Sequence, residues 1–240
     1  MHITVQKLPK SIDNAAETVA VVVDVLRATS VMATAVQNGA EQIITCLEVD
    51  EAWQIAQGMA LPPLLCGERH CKPIVGFDLG NSPSEYSPAA VAGRTIVMTT
   101  TNGTRALFAA RDAKAIYAGA FINLTAVSER VRGERSITII CAGTDGVATD
   151  EDFLFAGALI AKIASFEREI MPGGDAMEAI DNWRAFLDEG STLAHRLARS
   201  RGGKNLVDAG YRSDVDFCSV VDAVSAVPTA SSRTPMTLRG

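Results

Sequence analysis

At 240 residues, 48% hydrophobic and 21% charged, the chain has the composition of a globular protein with enough apolar material for one sizeable core, which excludes disorder over most of its length. A formal net charge of −6 with no Lys/Arg stripe excludes a polyphosphate partner such as nucleic acid, although local donors and a metal can still hold a small anion. No stretch approaches the ~20 apolar residues that span a bilayer, the N-terminus shows no apolar leader core, and five scattered cysteines fit reduced thiols; together these predict a cytoplasmic protein with no membrane contact.

Apolar, β-rich runs recur along the chain, each followed by helical spacing. Thr18 to Val25 precedes Val31 to Asn38, which stops at Gly39; Gln42 to Leu47 precedes Glu48 to Gln57. Leu64 to Cys66 opens onto a long loop, Gly67 to Tyr86, where Cys66 and Cys71 lack the second Cys/His pair a zinc site needs. Thr95 to Met98 leads into Thr104 to Arg111, Ala115 to Ala118 into Leu124 to Arg132, and Ile137 to Cys141 into Asp152 to Glu169. Strands this continuously apolar are buried on both faces, so the alternation predicts a three-layer α/β/α sandwich with a largely parallel or mixed central sheet. Pro172-Gly173-Gly174 breaks the pattern, and Ala176 to Asp188 and Thr192 to Ser200 form a helical segment near 175–200. Residues 1–228 are expected to make one domain and the polar tail 229–240 to be flexible. A homo-oligomer is compatible with this composition.

In an open parallel sheet, ligands bind beyond the carboxyl ends of the strands. The segments found there are DVLRATS, CGER, TTTNGT and CAGTDG. Asp24 and Arg27 could be an ordinary helix start, but a carboxylate at the end of a fully apolar strand is costly to bury unpartnered, which favours a metal or a cation beside it. Thr99 to Leu107 offers hydroxyls, an amide and a glycine at a strand-to-helix junction, suited either to capping or to anion binding; the Walker spacing and lysine are absent. In the long loop, Glu68 and Asp78 are candidate oxygen ligands for Mg2+, while Ser82 reads as a cap. The acidic run Asp145, Asp150, Glu151, Asp152 suits a helix first turn, with room for one carboxylate to reach the site. Arg201, two glycines and Lys204 precede a short helix and could cradle an anion or form a surface turn. No histidine carries a mechanism; His70 alone sits near the polar loops.

In order from about Val21 to Pro228, DVLRATS, NGA, GER, GFDLGNSP, TTTNGTRAL, CAG, EDFLFAGA and SRGG..L resemble the 2-phosphosulfolactate phosphatase family. The resemblance implies a Mg2+-dependent phosphate monoester hydrolase that releases 3-sulfolactate and phosphate on a route to coenzyme M. It implies Asp24 with Glu68 or Asp78 on the metal, and Arg27 with the Thr100, Thr101, Asn102, Gly103 and Thr104 loop on the phosphoryl group. Thr29 and Ser30 would join in substrate binding, Asn81 would orient substrate or water, and Arg201 or Lys204 would recognise the sulfonate or carboxylate. Attack by water or by Asp24 itself are both open, although Asp24-Val25-Leu26 lacks the second Asp of a DxD phosphatase motif. A binding protein or sensor for a phosphorylated or sulfonated metabolite is the alternative. One position departs from the family pattern: Cys71 stands where a glycine is expected.

Overall fold

The computed structural model describes residues 1–167 and 169–240. In chain order its strands and helices are β1 (His2–Gln6), β2 (Val19–Val23), α1 (Ala28–Gln37), β3 (Gln42–Thr45), α2 (Val49–Gln57), β4 (Leu64–Arg69), β5 (Lys72–Pro73), α3 (Pro88–Val91), β6 (Thr95–Thr99), α4 (Gly103–Ala109), β7 (Ala115–Gly119), α5 (Leu124–Arg130), β8 (Ser136–Cys141), α6 (Asp150–Ala164), β9 (Met171–Gly174), α7 (Ala176–Glu189), α8 (Leu193–Arg199), α9 (Arg201–Asp208), α10 (Arg212–Cys218), β10 (Thr229–Arg233) and β11 (Met236–Arg239). The helix expected over Asp152 to Glu169 ends at Ala164, and Arg168 lies outside the described residues.

The strands form one sheet in the order β5-β4-β6-β3-β11-β10-β7-β2-β8-β1-β9. Two parallel blocks, β4-β6-β3 and β7-β2-β8-β1-β9, are joined by an antiparallel hairpin, β10-β11. That hairpin overturns the expectation of a flexible tail: Met236 and Leu238 are buried, and Met236 to Leu238 pair with Ile43 to Thr45. Its polar residues misled the reading because a buried strand can carry a polar side chain that finds a partner: Thr237 is buried as well, and its hydroxyl donates to the Pro235 carbonyl.

Alternation along the strands makes three layers. In β2, Val19, Val21 and Val23 face a core with α5, α6 and α7, whereas Ala20 and Val22 face another with α1 and α4. Pro172-Gly173-Gly174 is part of β9, an edge strand pairing only with β1, where proline is tolerated. Among the described residues no helix is long and apolar enough to cross a membrane.

Candidate active site

The segments after β2, β4, β6 and β8 line one cleft of about 370 Å3, with α9 as its outer wall. The cleft wall includes Asp24, Arg27, Glu68, Asn81, Thr101 and Asn102, with His70, Cys71, Thr144, Asp145, Asn205 and Asp208 around the mouth.

Each wall segment is held by hydrogen bonds to the backbone. Asp24 is buried and its Oδ1 accepts from Ala28 N–H at 3.2 Å, so the carboxylate caps the start of α1 while facing the cleft. The Thr29 hydroxyl accepts from Asp24 N–H and its one proton is shared between the carbonyls of Asp24 and Gly119, each 2.8 Å from Oγ1, and Ser30 donates to the Val25 carbonyl. Glu68 spreads its two oxygens between Thr101 N–H and Cys71 N–H, each at 2.9 Å. Asp152 does the same for Val25 N–H and Gly143 N–H. Gly103 permits a close approach: a Cβ there would lie 2.4 Å from the Ala28 Cβ and 2.8 Å from Asp24 Oδ2.

The electrostatics follow from this crowding. Burial pushes the Asp24 carboxyl up to about 7, against the Ala28 N–H that holds it down, and the nearby Glu68 and Glu151 charges push it further while Arg27 opposes them. Burial also raises Glu151, and it raises Asp152 well above the ordinary carboxylate range, with Glu151 and Asp24 adding to the effect. Arg27 is 3% exposed and paired with an equally buried Asp214. Two buried oxygens, Asn81 Oδ1 and Thr101 Oγ1, have no hydrogen-bond partner among the described residues.

A family profile described as 2-phosphosulpholactate phosphatase matches residues 3–233. The chain belongs to the 2-phosphosulpholactate phosphatase family. It is 40% identical over 210 residues, 88% of each chain, to a "Probable 2-phosphosulfolactate phosphatase" of Thermotoga petrophila. Proteins of the same name in Thermotoga maritima and Symbiobacterium thermophilum are 38% and 39% identical, over 87% of each chain and over 88% and 90% of this chain and theirs, respectively.

Of the residues expected to carry this family's chemistry, Asp24, Arg27, Glu68, Asn81, Thr101 and Asn102 come together on the cleft wall. The others do not. Thr29 and Ser30 are fully buried and tied to backbone carbonyls. Thr100 and Thr104 bond to each other's backbone at the start of α4, and Gly103 is a packing glycine. Asp78 accepts Leu65 N–H at 2.8 Å and lies off the cleft, which removes it from the ligand set. Arg201, Gly202, Gly203 and Lys204 are inside α9 rather than before it, capped by Ser200; Arg201 and Lys204 are exposed and not part of the lining, although Arg201 Nη2 lies 3.9 Å from Oδ2 of Asp145 at the cleft. Gly202 instead lets α9 settle on Glu151, since a Cβ there would sit 2.1 Å from Glu151 Oε1. The sequence reading missed Asp214, Asn205 and Asp208. Asp214 has no local signal, because its meaning comes from a contact with Arg27, 187 positions away.

At Cys71 the resemblance leads to the expectation of a glycine, and the backbone there is of the kind that favours one. β4 and β5 form a hairpin with Arg69 opposite Lys72, so His70 and Cys71 are the two turn residues, at φ 53° and 63°. A two-residue turn with both φ values positive is where glycine is favoured.

Proposed function

We propose that the protein is a Mg2+-dependent phosphate monoester hydrolase that converts 2-phosphosulfolactate and water to 3-sulfolactate and inorganic phosphate, on the route to coenzyme M. The relatives' names supply the substrate. The observation that carries the chemistry is the pair of buried carboxylates, Asp24 and Glu68, on a cleft wall shared with the Arg27 guanidinium.

The donor set fits Mg2+. Among the described residues no group of three or more His, Cys, Asp or Glu is gathered to hold a metal by itself. Two carboxylates, with the unpartnered Asn81 Oδ1 and Thr101 Oγ1 beside them, suit a hard cation that keeps waters and takes substrate oxygens. When bound there, Mg2+ would neutralise phosphoryl oxygens and lower the pKa of a water.

This chain's residues do the rest. Arg27 has N–H groups beyond the ones it gives to Asp214 and Cys71, and these can meet two phosphoryl oxygens. Asn102 and Thr101 offer neutral polar groups on the same wall. Asp24, committed as a ligand, is not the attacking group on this reading; water displaces the sulfolactate oxygen from phosphorus, and a proton restores the hydroxyl. Trapping an Asp24 aspartyl phosphate in a single turnover would overturn that assignment.

The test is phosphate release from 2-phosphosulfolactate and a panel of other 2-phospho acids, with Mg2+ and with EDTA. Release that requires Mg2+ and favours the sulfonated substrate is expected. Tight binding without release in any condition would instead make the protein a sensor.

A further inference from the structure

The least expected feature of the cleft is what stands behind Arg27. Asp214, on α10, is 3% exposed, and its Oδ2 accepts from Arg27 Nη1. Its Oδ1 accepts from the Ser82 hydroxyl at 2.7 Å, and Ser82 is itself 5% exposed. The Tyr211 ring lies 4.4 Å from the guanidinium carbon, and the Cys71 carbonyl accepts from Nη2 at 3.3 Å. The guanidinium is therefore fixed through one nitrogen by a carboxylate, through another by a carbonyl, and across its plane by an aromatic face. A solvated arginine side chain would lose several rotors to reach one orientation; this one has lost them on folding.

We infer that Asp214 and Tyr211 are positioning residues that hold the Arg27 guanidinium in the plane needed to clamp a phosphoryl group, and that α10 is thereby part of the active site although it touches no substrate. The inference rests on the proposed phosphatase reading for its turnover arm, but not for its binding arm. A buried ion pair is seldom kept for stability alone, because a well-packed apolar pair of similar volume serves as well. Here the pair sits under a cleft-lining cation, and Asp214 is itself held by Ser82, so both ends of the carboxylate are oriented. Positioning of this kind matters for rate because a displacement of about 1 Å in a group gripping the transferred oxygens costs about a hundredfold.

A double-mutant cycle decides it. Wild type, Asp214→Asn, Arg27→Met and the double variant are compared for kcat/KM on 2-phosphosulfolactate with Mg2+, and for the Kd of inorganic phosphate. Asp214→Asn is expected to lower kcat/KM by about tenfold to a hundredfold in the wild-type background and by less than about twofold when Arg27 is already Met. Phosphate affinity is expected to show the same loss of effect in the Arg27→Met background. A purely structural role would give the same factor in both backgrounds and would overturn the inference. Tyr211→Leu keeps the charge pair and serves if Asp214→Asn does not fold; it is expected to lower kcat and weaken phosphate binding, and unchanged values for both would equally overturn the claim. A wild type that binds phosphate but hydrolyses none of the panel would sink the phosphatase reading while the binding arm still judged the positioning one.

Discussion

Residue by residue, the cleft is made from groups held against their own preferences, and two of them give direct tests. Asp24 is a carboxylate raised by burial from its ordinary value of 3.8 to about 7. The folded state thus holds a proton that the unfolded chain has released, so the stability this contributes is complete below about pH 4 and is lost as pH rises through 7. Asn at this position keeps an oxygen for Ala28 N–H and carries no charge. Asp24→Asn is therefore expected to abolish phosphate release, yet to melt higher than wild type in EDTA at pH 8, by about 2 kcal/mol or roughly 5 °C, with little difference at pH 4. Equal melting offsets at both pH values would show that the carboxylate is not strained by burial. Cys71 is held at φ 63° in the hairpin turn, where a side chain is disfavoured and glycine is not. Cys71→Gly preserves both backbone bonds, to Glu68 and to Arg27. It is expected to raise stability by about 0.5 kcal/mol with turnover within about twofold of wild type. Lower stability in urea unfolding would mean that thiol packing outweighs the turn.

Among the elements, the C-terminal hairpin carries the most consequence. β10 and β11 stand between β7 and β3, so they are the seam of the sheet rather than an appendage. Leu238 is fully buried in the core shared with α1 and α4, and Leu238→Ala is expected to cost about 2–4 kcal/mol in denaturant unfolding. Removing 229–240 opens two interior strand edges at once and is expected to leave no soluble, cooperatively melting protein. A truncated chain with wild-type melting would return these residues to the status of a tail. The contrast with β2 shows what could be read in the sequence. Val19 to Val23 is apolar at every position because both faces are covered, and that pattern is visible without any partner. In β10 and β11 the pattern is TASSR and MTLR, and in β9 it is MPGG; their strand character depends on which neighbour offers an edge. The site divides the same way. Asp24, Glu68 and Thr101 follow strands that the sequence marks, so the strand-end rule finds them. Asp214 and Tyr211 reach Arg27 only through the docking of α10, which no spacing encodes.

Across the whole molecule, the sign of the charge sets the problem that the site has to solve. The chain carries a net −6, and the cleft lining includes Asp24, Glu68, Asp145 and Asp208 around Arg27, the one lysine or arginine lining it among the described residues, whose charge is already shared with Asp214. A phosphorylated acid would meet a repulsive field there. Arg201, 3.9 Å from Asp145, offsets part of that charge from just outside the lining, and Lys204 lies outside the lining as well. A divalent ion held by Asp24 and Glu68, as proposed, would reverse the local sign, and this makes a prediction about salt as well as about metal. In EDTA, inorganic phosphate is expected to bind weakly, and raising ionic strength is expected to help it slightly, since salt screens repulsion from the carboxylates. With Mg2+ present, phosphate should bind tighter by at least about tenfold, and added salt should now weaken it, because the net interaction has become attractive. The two arms share one measurement, calorimetric titration of phosphate at two salt concentrations with and without metal. Tight binding in EDTA that falls with salt would mean that Arg27 and the backbone suffice as the anion site, and the cation would lose its role in holding substrate. The opposite slopes, by contrast, follow only if the acidic cleft and the cation act as one receptor.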